Sequence, residues 1–400
     1  FIKAVPLDKA KLDTPRPINM SLSNSKIKRI NNFIGSDIDE DVNKLFEQKK
    51  ELVNNEIFNQ TIPYGKHHID QKDISSVVNV LKNSAIAQGP AITKFEEKIS
   101  SYLGCKYAVC VSSCTAGLHL AAKIAGLNNK KYLATSVISF VSSANVAAFE
   151  NSKVFFVDVD DSICISPKLL EKTLKKNKKI KVVMPVHFSG VSCDMIKIKK
   201  ICDKYKVKII EDAAHAFGSK YRSGFKIGSC KYSLMSVFSF HPVKSLTTGE
   251  GGVVTTNDHS IYLSLLRLRS HGINKLDDKL LNTKFALTNN KIKNPWYYEM
   301  QQLGYNYRLN DIQASLGISQ LSKIDKFIDK RRKISLKYDY AFRNLKNCKA
   351  IHKQFRDISS NHLYILRINL KKLKFSKAEL WKILYERGIV TQVHYIPIIF

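Results

Sequence analysis

The chain has 400 residues, of which 65 are Lys or Arg and 34 are Asp or Glu, giving a formal net charge of +31. Apolar residues make up 44% of it, which is enough to bury a large core and excludes a wholly disordered chain. The length predicts about two or three domains. No apolar run approaches the roughly 18 residues of a membrane span, and the opening residues lack the apolar centre of a signal peptide.

The positive charge raises the question of a nucleic-acid partner. Of the 65 basic residues 53 are Lys and 12 are Arg, whereas proteins that read bases and phosphates rely on the planar Arg side chain. The lysines are also spread along the chain. We therefore favour a solvated Lys-rich surface and expect neither a nucleic-acid nor a membrane partner, although the charge can attract an anionic substrate.

The cysteines show no pattern of a metal or disulfide framework. No two of them form a CxxC pair, and no His stands at a partner spacing for zinc. We expect free thiols in a cytoplasmic protein, and no metal site. The eight residues are Cys105, Cys110, Cys114, Cys164, Cys193, Cys202, Cys230 and Cys348.

Residues 1–60 differ from the rest of the chain. They are polar, contain Pro15 and Pro17, and end in a charged stretch of helical character. Residues 14–30 resemble the tail of reductases that act on the 4-keto groups of nucleotide sugars. A simple N-terminal extension explains this part equally well, so the sequence leaves both interpretations open.

From residue 61 onward, short apolar runs rich in β-branched residues alternate with helix-period stretches such as 115–127 and 195–206. This rhythm predicts an α/β fold with a mainly parallel seven-stranded sheet and helices on both faces. Ligand chemistry in such sheets lies at the carboxyl ends of the strands. The seven predicted strands are 107–113, 132–138, 153–159, 181–188, 207–212, 236–240 and 251–256.

The C-terminal part predicts a smaller α+β domain. An amphipathic stretch at 311–342 predicts one long helix, 362–370 a strand, and 377–388 a helix that Gly388 closes at its C-terminal cap. We expect a large domain at 61–315 and a small domain at 316–400. The chain ends at Phe400 in an apolar run, and we expect the natural domain to continue beyond it.

Two strand ends carry groups suited to an anion and to a protonated nitrogen. Residues 112–117 bring hydroxyls and backbone N–H groups to the start of a helix, where an anion is readily bound, although an ordinary N-cap has the same composition. Asp212 ends another strand. Its carboxylate can hold a protonated ring nitrogen, or it can cap the next helix.

Lys244 stands out among the many lysines. It follows a strand that carries Ser239 and then His241, and a glycine-rich turn at 249–252 comes just after it. Burial between these elements would lower the pKa of its amine and make it a nucleophile. Together, a phosphate cradle, an aromatic face at Phe140, an acid for a pyridinium nitrogen and an amine for an aldehyde are the contacts that pyridoxal phosphate needs.

From about Ile62 to Pro397 the chain resembles the sugar aminotransferases of the DegT/DnrJ/EryC1/StrS family. The resemblance implies the aspartate-aminotransferase type of fold, fold type I of the pyridoxal phosphate enzymes. Several segments most resemble members that transfer an amino group, generally from L-glutamate, to C4 of a UDP-linked 2-acetamido-2,6-dideoxy-4-keto hexose. The segments that carry the resemblance are 88–121, 185–195, 209–219, 238–252, 268–273, 303–317 and 391–397.

The resemblance also implies roles for individual residues. Lys244 bonds covalently to the cofactor aldehyde and carries the proton during transfer, and Asp212 pairs with the pyridinium nitrogen. His215 lies near the ring hydroxyl, and Phe140 stacks near the ring. Three residues bind the cofactor phosphate, namely Thr115, Ala116 and Ser239.

Further residues are expected to face the substrate or a second subunit. Asn306 would reach the phosphate of the partner subunit's cofactor, which implies a homodimer with a shared active site. His187, His241 and Arg308 are the candidate substrate-binding residues. The UDP-linked keto sugar and an amino-acid donor are the expected partners in the reaction.

Three readings of function stay open at the level of sequence. The first is the aminotransferase described above. The second is another enzyme on the same scaffold: a dehydratase, or an aminotransferase for a different nucleotide sugar of the perosamine or 4-amino-arabinose type. Dehydratases of the family have lost the lysine that stands here as Lys244, which favours transamination. The third is a basic binding protein without catalysis.

Overall fold

The computed structural model describes residues 61–274, 280–345, 347–374 and 376–398. The predicted N-terminal extension at 1–60 and the chain end at Phe400 lie outside the described residues. The described residues fall into two compact units, 65–380 with 392–398 and 61–64 with 381–391. The boundary between a large and a small domain at 315/316 stays a prediction.

Seven strands form one sheet, and they match the seven runs predicted from the sequence. The sheet order is β1-β7-β6-β5-β4-β2-β3, and only β7 runs antiparallel to its two neighbours. The predicted mainly parallel α/β sheet is therefore confirmed. Its strands are β1 (Tyr107–Val111), β2 (Tyr132–Ser136), β3 (Val154–Val157), β4 (Ile180–Met184), β5 (Lys208–Asp212), β6 (Met235–Ser239) and β7 (Gly252–Thr256).

Helices connect and flank these strands. Those in the first part of the chain are α1 (Gln71–Asn83), α2 (Pro90–Leu103), α3 (Cys114–Ala125), α4 (Ser142–Phe149), α5 (Pro167–Lys176) and α6 (Met195–Tyr205). Those in the later part are α7 (His259–Leu268), α8 (Thr283–Ala286), α9 (Asp311–Leu321), α10 (Ile324–Ala341) and α11 (Lys377–Glu386). None of these described helices is both long and apolar enough to cross a bilayer.

Each face of the sheet has its own apolar core. Because side chains alternate along a strand, Ile209 and Phe238 join the core that also contains Phe95 of α2. Ile210 and Val237 join the core on the other face, with Leu118 of α3. The strands are thus covered on both sides, as the continuous apolar runs predict.

Helix α3 lies close to the sheet because Gly117 has no side chain. A Cβ atom at Gly117 would lie 2.8 Å from Cγ1 of Val237 and 3.0 Å from Cγ2 of Val254. Real Cβ atoms essentially never approach this closely, so a larger residue would push the helix outward. Gly117 therefore fixes the position of the first turn of α3 against β6 and β7.

The single long helix predicted at 311–342 is wrong, because the structure has two helices, α9 and α10. Lys323 leaves the helical conformation (φ −112°, ψ 0°) between them. Its Nζ lies 2.7 Å from Asp73 Oδ2 and 2.9 Å from Asp70 Oδ1 on α1 and its cap. This ion pair joins residues about 250 positions apart, which local periodicity cannot anticipate.

The C-terminal elements agree with the sequence in kind. Within the predicted strand at 362–370, β9 (Leu366–Ile368) pairs antiparallel with β8 (Cys348–Ala350). The predicted helix at 377–388 is α11, and Gly388 follows it with a φ of 73°, as expected for a C-terminal cap. Ile62 N donates to Gly388 O at 2.7 Å, and Val390 N donates to Ile62 O at 3.0 Å.

Candidate active site

Part of the predicted site lies at one edge of the sheet. The carboxyl ends of β1, β5 and β6 lead to Ser112, Asp212 and Ser239 respectively, and β7 begins at the same edge with Gly252 because it runs the opposite way. A Cβ atom at Gly252 would lie 2.8 Å from Cys114 N. The glycine thus keeps the start of α3 against the sheet edge.

Asp212 presents its carboxylate in a buried position, with 4% of its surface exposed. Oδ2 accepts a hydrogen bond from Ser143 Oγ at 2.6 Å, and Oδ1 accepts one from Ala214 N at 3.1 Å. Burial raises the pKa of Asp212, while Ser143, Ala214 and the nearby Lys244 oppose that rise. A positively charged group bound here would favour the ionised carboxylate.

Lys244 follows β6 in a turn in which its backbone N donates to His241 O at 2.9 Å. Burial lowers the pKa of its amine, and the neighbouring Cys114 and Asp212 act in the opposite direction. Its Nζ has no hydrogen-bond partner among the described residues. The neutral amine is the form that attacks an aldehyde carbon, and a lowered pKa favours that form.

The first turn of α3 provides the predicted anion site. Ser113 is the N-cap, and its Oγ accepts from Ala116 N at 3.1 Å. The backbone N–H groups of Cys114 and Thr115 come before the capped N–H of Ala116. They have no partner within the helix and are available to an anion at its N-terminus. Ala116, predicted to bind phosphate, uses its own N–H for the cap, and Thr115 Oγ1 lies 2.8 Å from Ser142 Oγ.

His215 lies beside Tyr395 and His362. Its Nδ1 accepts from Ser189 N at 3.2 Å, so the proton of the neutral ring is on Nε2, 3.0 Å from Tyr395 Oη. The ring of His362 is centred 4.6 Å from that of His215, and both of its nitrogens are buried without a partner. Burial lowers the pKa of both imidazoles, which keeps them neutral.

The remaining predicted residues lie at different depths. Phe140 is 58% exposed, and its ring is centred 6.3 Å from that of Tyr395. His241 is exposed beside Glu250. Asn306 is exposed and forms a β-bridge with Ser270, and Arg308 forms one with Val111 at the end of β1.

His187 was predicted to bind substrate, but the structure gives its side chain no exposed surface. Its Nδ1 accepts from Cys193 N at 3.1 Å, so Nε2 donates to Glu211 Oε2 at 2.5 Å. Both ring nitrogens are therefore used inside the protein. Its backbone N also donates to Asp212 O at 3.0 Å, which ties β4 to the end of β5.

Two features of the site were missed from the sequence. One is Ser143, whose hydroxyl bonds to Asp212. The other is the buried Glu211, next to Asp212 on β5. A signal for Ser143 exists: it lies shortly after the end of β2, at the same sheet edge as the other site residues.

The arrangement fits pyridoxal phosphate on three points. The free N–H groups at the start of α3 can hold a phosphate. The buried carboxylate of Asp212 can hold a protonated ring nitrogen, and the desolvated amine of Lys244 can bond to an aldehyde. Residues 67–399 match the DegT/DnrJ/EryC1/StrS aminotransferase family. The chain belongs to this family. It is a sugar aminotransferase that uses pyridoxal phosphate.

Similar proteins support this assignment. A UDP-4-amino-4,6-dideoxy-N-acetyl-β-L-altrosamine transaminase of Campylobacter jejuni is 37% identical over 337 residues, which are 84% of each chain. The structure of Helicobacter pylori PseC, an aminotransferase involved in the biosynthesis of pseudoaminic acid, has a TM-score of 0.77 at 32% identity and covers 85% of this chain and 86% of its own. A Streptococcus pneumoniae structure described as a sugar aminotransferase in its PLP form has a TM-score of 0.72 at 26% identity, covering 84% of this chain and 85% of its own.

Proposed function

We propose that this aminotransferase transfers an amino group, with L-glutamate as donor, to C4 of a UDP-linked 2-acetamido-2,6-dideoxy-4-keto hexose for pseudaminic acid-type glycan biosynthesis. The observation that carries the chemistry is the desolvated amine of Lys244 beside the buried Asp212 at the sheet edge. The choice of sugar is supported by the 37% identity with the Campylobacter jejuni altrosamine transaminase. A cytoplasmic location stays a prediction.

The residues of this chain divide the work. Bound pyridoxal phosphate supplies an aldehyde that accepts the amino group and a ring that accepts electrons from the reacting carbon. Burial lowers the pKa of Lys244, which favours the neutral amine, and Nζ would remove and return the proton at the reacting carbon. Asp212 keeps a proton on the ring nitrogen, and the N–H groups of Cys114 and Thr115 hold the phosphate, together with Ser239 from β6.

We also propose that the protein acts as a homodimer. Large apolar side chains are exposed in the stretch that leads to Asn306: Trp296 is 74% exposed and Leu303 is 70% exposed. Several large exposed apolar side chains within one short stretch favour a protein interface. Asn306 follows the stretch and is itself exposed, so it is available to a second copy. Light scattering of the purified protein tests the dimer directly.

The cofactor chemistry is tested first by a visible absorption spectrum, borohydride reduction and peptide mapping. A yellow protein with the reduced label on Lys244 is the expected result. A colourless protein that takes up no added pyridoxal phosphate would contradict the proposal and favour a binding protein without catalysis. Salt-sensitive binding to nucleic acid would then support that alternative.

The sugar is tested by offering two keto substrates in parallel. A UDP-4-amino-4-deoxy-L-arabinose–oxoglutarate aminotransferase of Shewanella sediminis is 34% identical over 70% of this chain, so a UDP-4-keto pentose is the second candidate. We expect amination at C4 of the acetamido hexose, identified by mass and sugar NMR. Preferential amination of the pentose, or loss of water instead of amination, would contradict the proposed substrate. A series of amino-acid donors with each sugar tests glutamate.

A further inference from the structure

Two consecutive buried serines open α4, and they contact two different parts of the proposed cofactor site. Ser142 Oγ lies 2.8 Å from Thr115 Oγ1, at the phosphate end. Ser143 Oγ lies 2.6 Å from Asp212 Oδ2, at the end proposed for the ring nitrogen. Ser143 has no exposed surface, and Ser142 has 8%. The same turn of helix therefore offers both a candidate residue and its matched control.

The direction of the bonds around Ser143 follows from chemistry. An ionised carboxylate only accepts hydrogen bonds, so the single proton of the Ser143 hydroxyl goes to Asp212. The oxygen of Ser143 must then accept the proton of Ser139, whose Oγ lies 2.6 Å away and is also buried. The order is Ser139 to Ser143 to Asp212. Bonds in such a chain polarise and strengthen one another, and a bond to a charged acceptor is about twice as strong as a neutral one.

Few groups around Asp212 stabilise its negative charge, so the Ser143 hydroxyl is important for keeping the carboxylate ionised. Lys244, after β6, favours the ionised carboxylate. The other titratable groups around it are Cys114 at the start of α3, Glu211 on the same strand, and His187 after β4, whose two ring nitrogens are already used by Cys193 and Glu211. Burial acts against the charge, and the donors to the carboxylate itself are Ser143 and the backbone N of Ala214. Of these two donors, only the Ser143 hydroxyl belongs to a side chain and can be removed by a side-chain substitution.

We propose that Ser143 is a positioning residue, which fixes the orientation of the Asp212 carboxylate and stabilises its ionised form, so that the carboxylate would hold the protonated ring nitrogen of the cofactor. Ser139 orients Ser143 in turn. The inference rests on the role proposed above for Asp212. It requires no covalent step and no contact between Ser143 and the cofactor.

The test measures binding of pyridoxamine 5′-phosphate to the full-length protein by calorimetry, over the pH range in which the protein is folded. This form of the cofactor carries an amine in place of the aldehyde, so its affinity reports the non-covalent contacts alone and needs no turnover. Removing the hydroxyl in Ser143→Ala takes away a hydrogen bond to a charged group. We expect affinity at neutral pH to fall roughly tenfold to a hundredfold.

The shape of the pH profile distinguishes positioning from a general structural role. Without Ser143 the pKa of Asp212 rises further, so the carboxylate becomes protonated at a higher pH and affinity is lost earlier as pH falls. The acid limb of Ser143→Ala should move upward by about one unit or more. Ser143→Thr keeps the hydroxyl and should restore the wild-type limb. Ser139→Ala should move the limb in the same direction by less.

Ser142→Ala is the matched control, because it shortens the neighbouring side chain in the same turn and contacts Thr115. It should weaken binding at every pH without moving the acid limb. An unmoved limb in Ser143→Ala, or an equal shift in Ser142→Ala, would overturn the inference. If Ser143→Ala does not fold, Ser139→Ala decides by the same criterion. A wild-type protein that does not bind the probe at all would instead refute the proposed function, and the inference with it.

Discussion

Glu211 and Asp212 are consecutive residues at the end of β5, and both are buried, but their surroundings differ. Glu211 faces one side of the sheet and accepts hydrogen bonds from four side chains. Asp212 faces the other and accepts one from a side chain, Ser143, and one from the backbone. The four donors to Glu211 are His187, Tyr221, Ser233 and Ser236.

The pKa shifts follow this difference. Burial opposes ionisation of Glu211, but His187, Ser233 and Tyr221 hold its pKa below the usual value. Burial of Asp212 is less compensated, so its pKa is raised. A carboxylate with its partners in place stabilises the fold. A buried carboxylate with few hydrogen-bond donors and a raised pKa is a candidate ligand site, and the substitutions below test whether the two roles separate in this way.

Lys244→Ala should have the largest effect, because it removes the reactive amine on the Asp212 side of β5. We expect turnover to fall by at least about 10⁴-fold, and borohydride reduction to leave no label on the protein. The thermal midpoint should not fall, since Nζ has no hydrogen-bond partner among the described residues. Lys94→Ala, on the exposed face of α2, is the control. Normal turnover in Lys244→Ala would contradict the assignment.

Asp212→Asn should separate activity from stability. Turnover should fall on the order of 10²- to 10³-fold, because the neutral amide cannot hold the protonated ring nitrogen as firmly. A raised pKa means that ionised Asp212 costs the folded protein free energy, a cost that grows as pH rises above 3.8. Unfolding of the cofactor-free variant at neutral pH should therefore require the same or more denaturant. Unchanged turnover would show that another group holds the nitrogen.

The sequence predicts one of these two carboxylates and misses the other. Asp212, Lys244 and the first turn of α3 were singled out because each lies at or just after the end of a strand whose run of β-branched residues is evident, and the ends of parallel strands converge. Glu211 stands one position earlier. Its partners are spread over residues 187–236, so nothing within its own segment distinguishes a buried network from a solvated glutamate.

The same limit explains the errors in the fold. All seven strands were predicted, because burial on both faces leaves a clear local pattern. The interruption between α9 and α10 was missed, because Lys323 bonds to Asp70 and Asp73 in a distant helix and its cap. His187 was assigned to the substrate on resemblance, whereas contacts with Glu211 and Cys193 place it inside the protein.

Glu211→Gln should reduce stability while leaving the Asp212 side intact. The substitution replaces a carboxylate that accepts from four side chains with a neutral amide whose nitrogen cannot accept. Buried donors therefore lose their acceptor, and we expect a loss of about 3–5 kcal/mol in the free energy of unfolding. Because folding lowers the pKa of Glu211, its ionised form stabilises the protein above pH 4.5, the usual pKa of a glutamate. This stabilisation is lost as the pH falls from 4.5 through the lower pKa of the folded state. The difference in urea unfolding from the wild type should shrink accordingly.

Glu97→Gln is the matched control for that substitution. Glu97 is exposed on α2, so the same chemical change should alter the free energy of unfolding by no more than about 0.5 kcal/mol. Equal unfolding midpoints for the two variants would contradict a stabilising role for the buried network. A loss of turnover in Glu211→Gln beyond its loss of folded protein would show that the two faces of β5 are not independent.

Tyr221→Phe should have the smallest effect. It is also the mildest test of whether the Glu211 and Asp212 sides of β5 are independent. The Tyr221 hydroxyl donates to Glu211 at 2.8 Å and 2.9 Å, and three other side chains still bond the carboxylate without it. We expect unfolding to become easier by about 1–2 kcal/mol. Tyr232→Phe is the control, because that ring packs edge-on against Tyr221 without bonding Glu211. Turnover should be unchanged in both, since neither ring contacts Asp212; a loss comparable to that of Asp212→Asn would mean that Glu211 acts on the reaction through the strand.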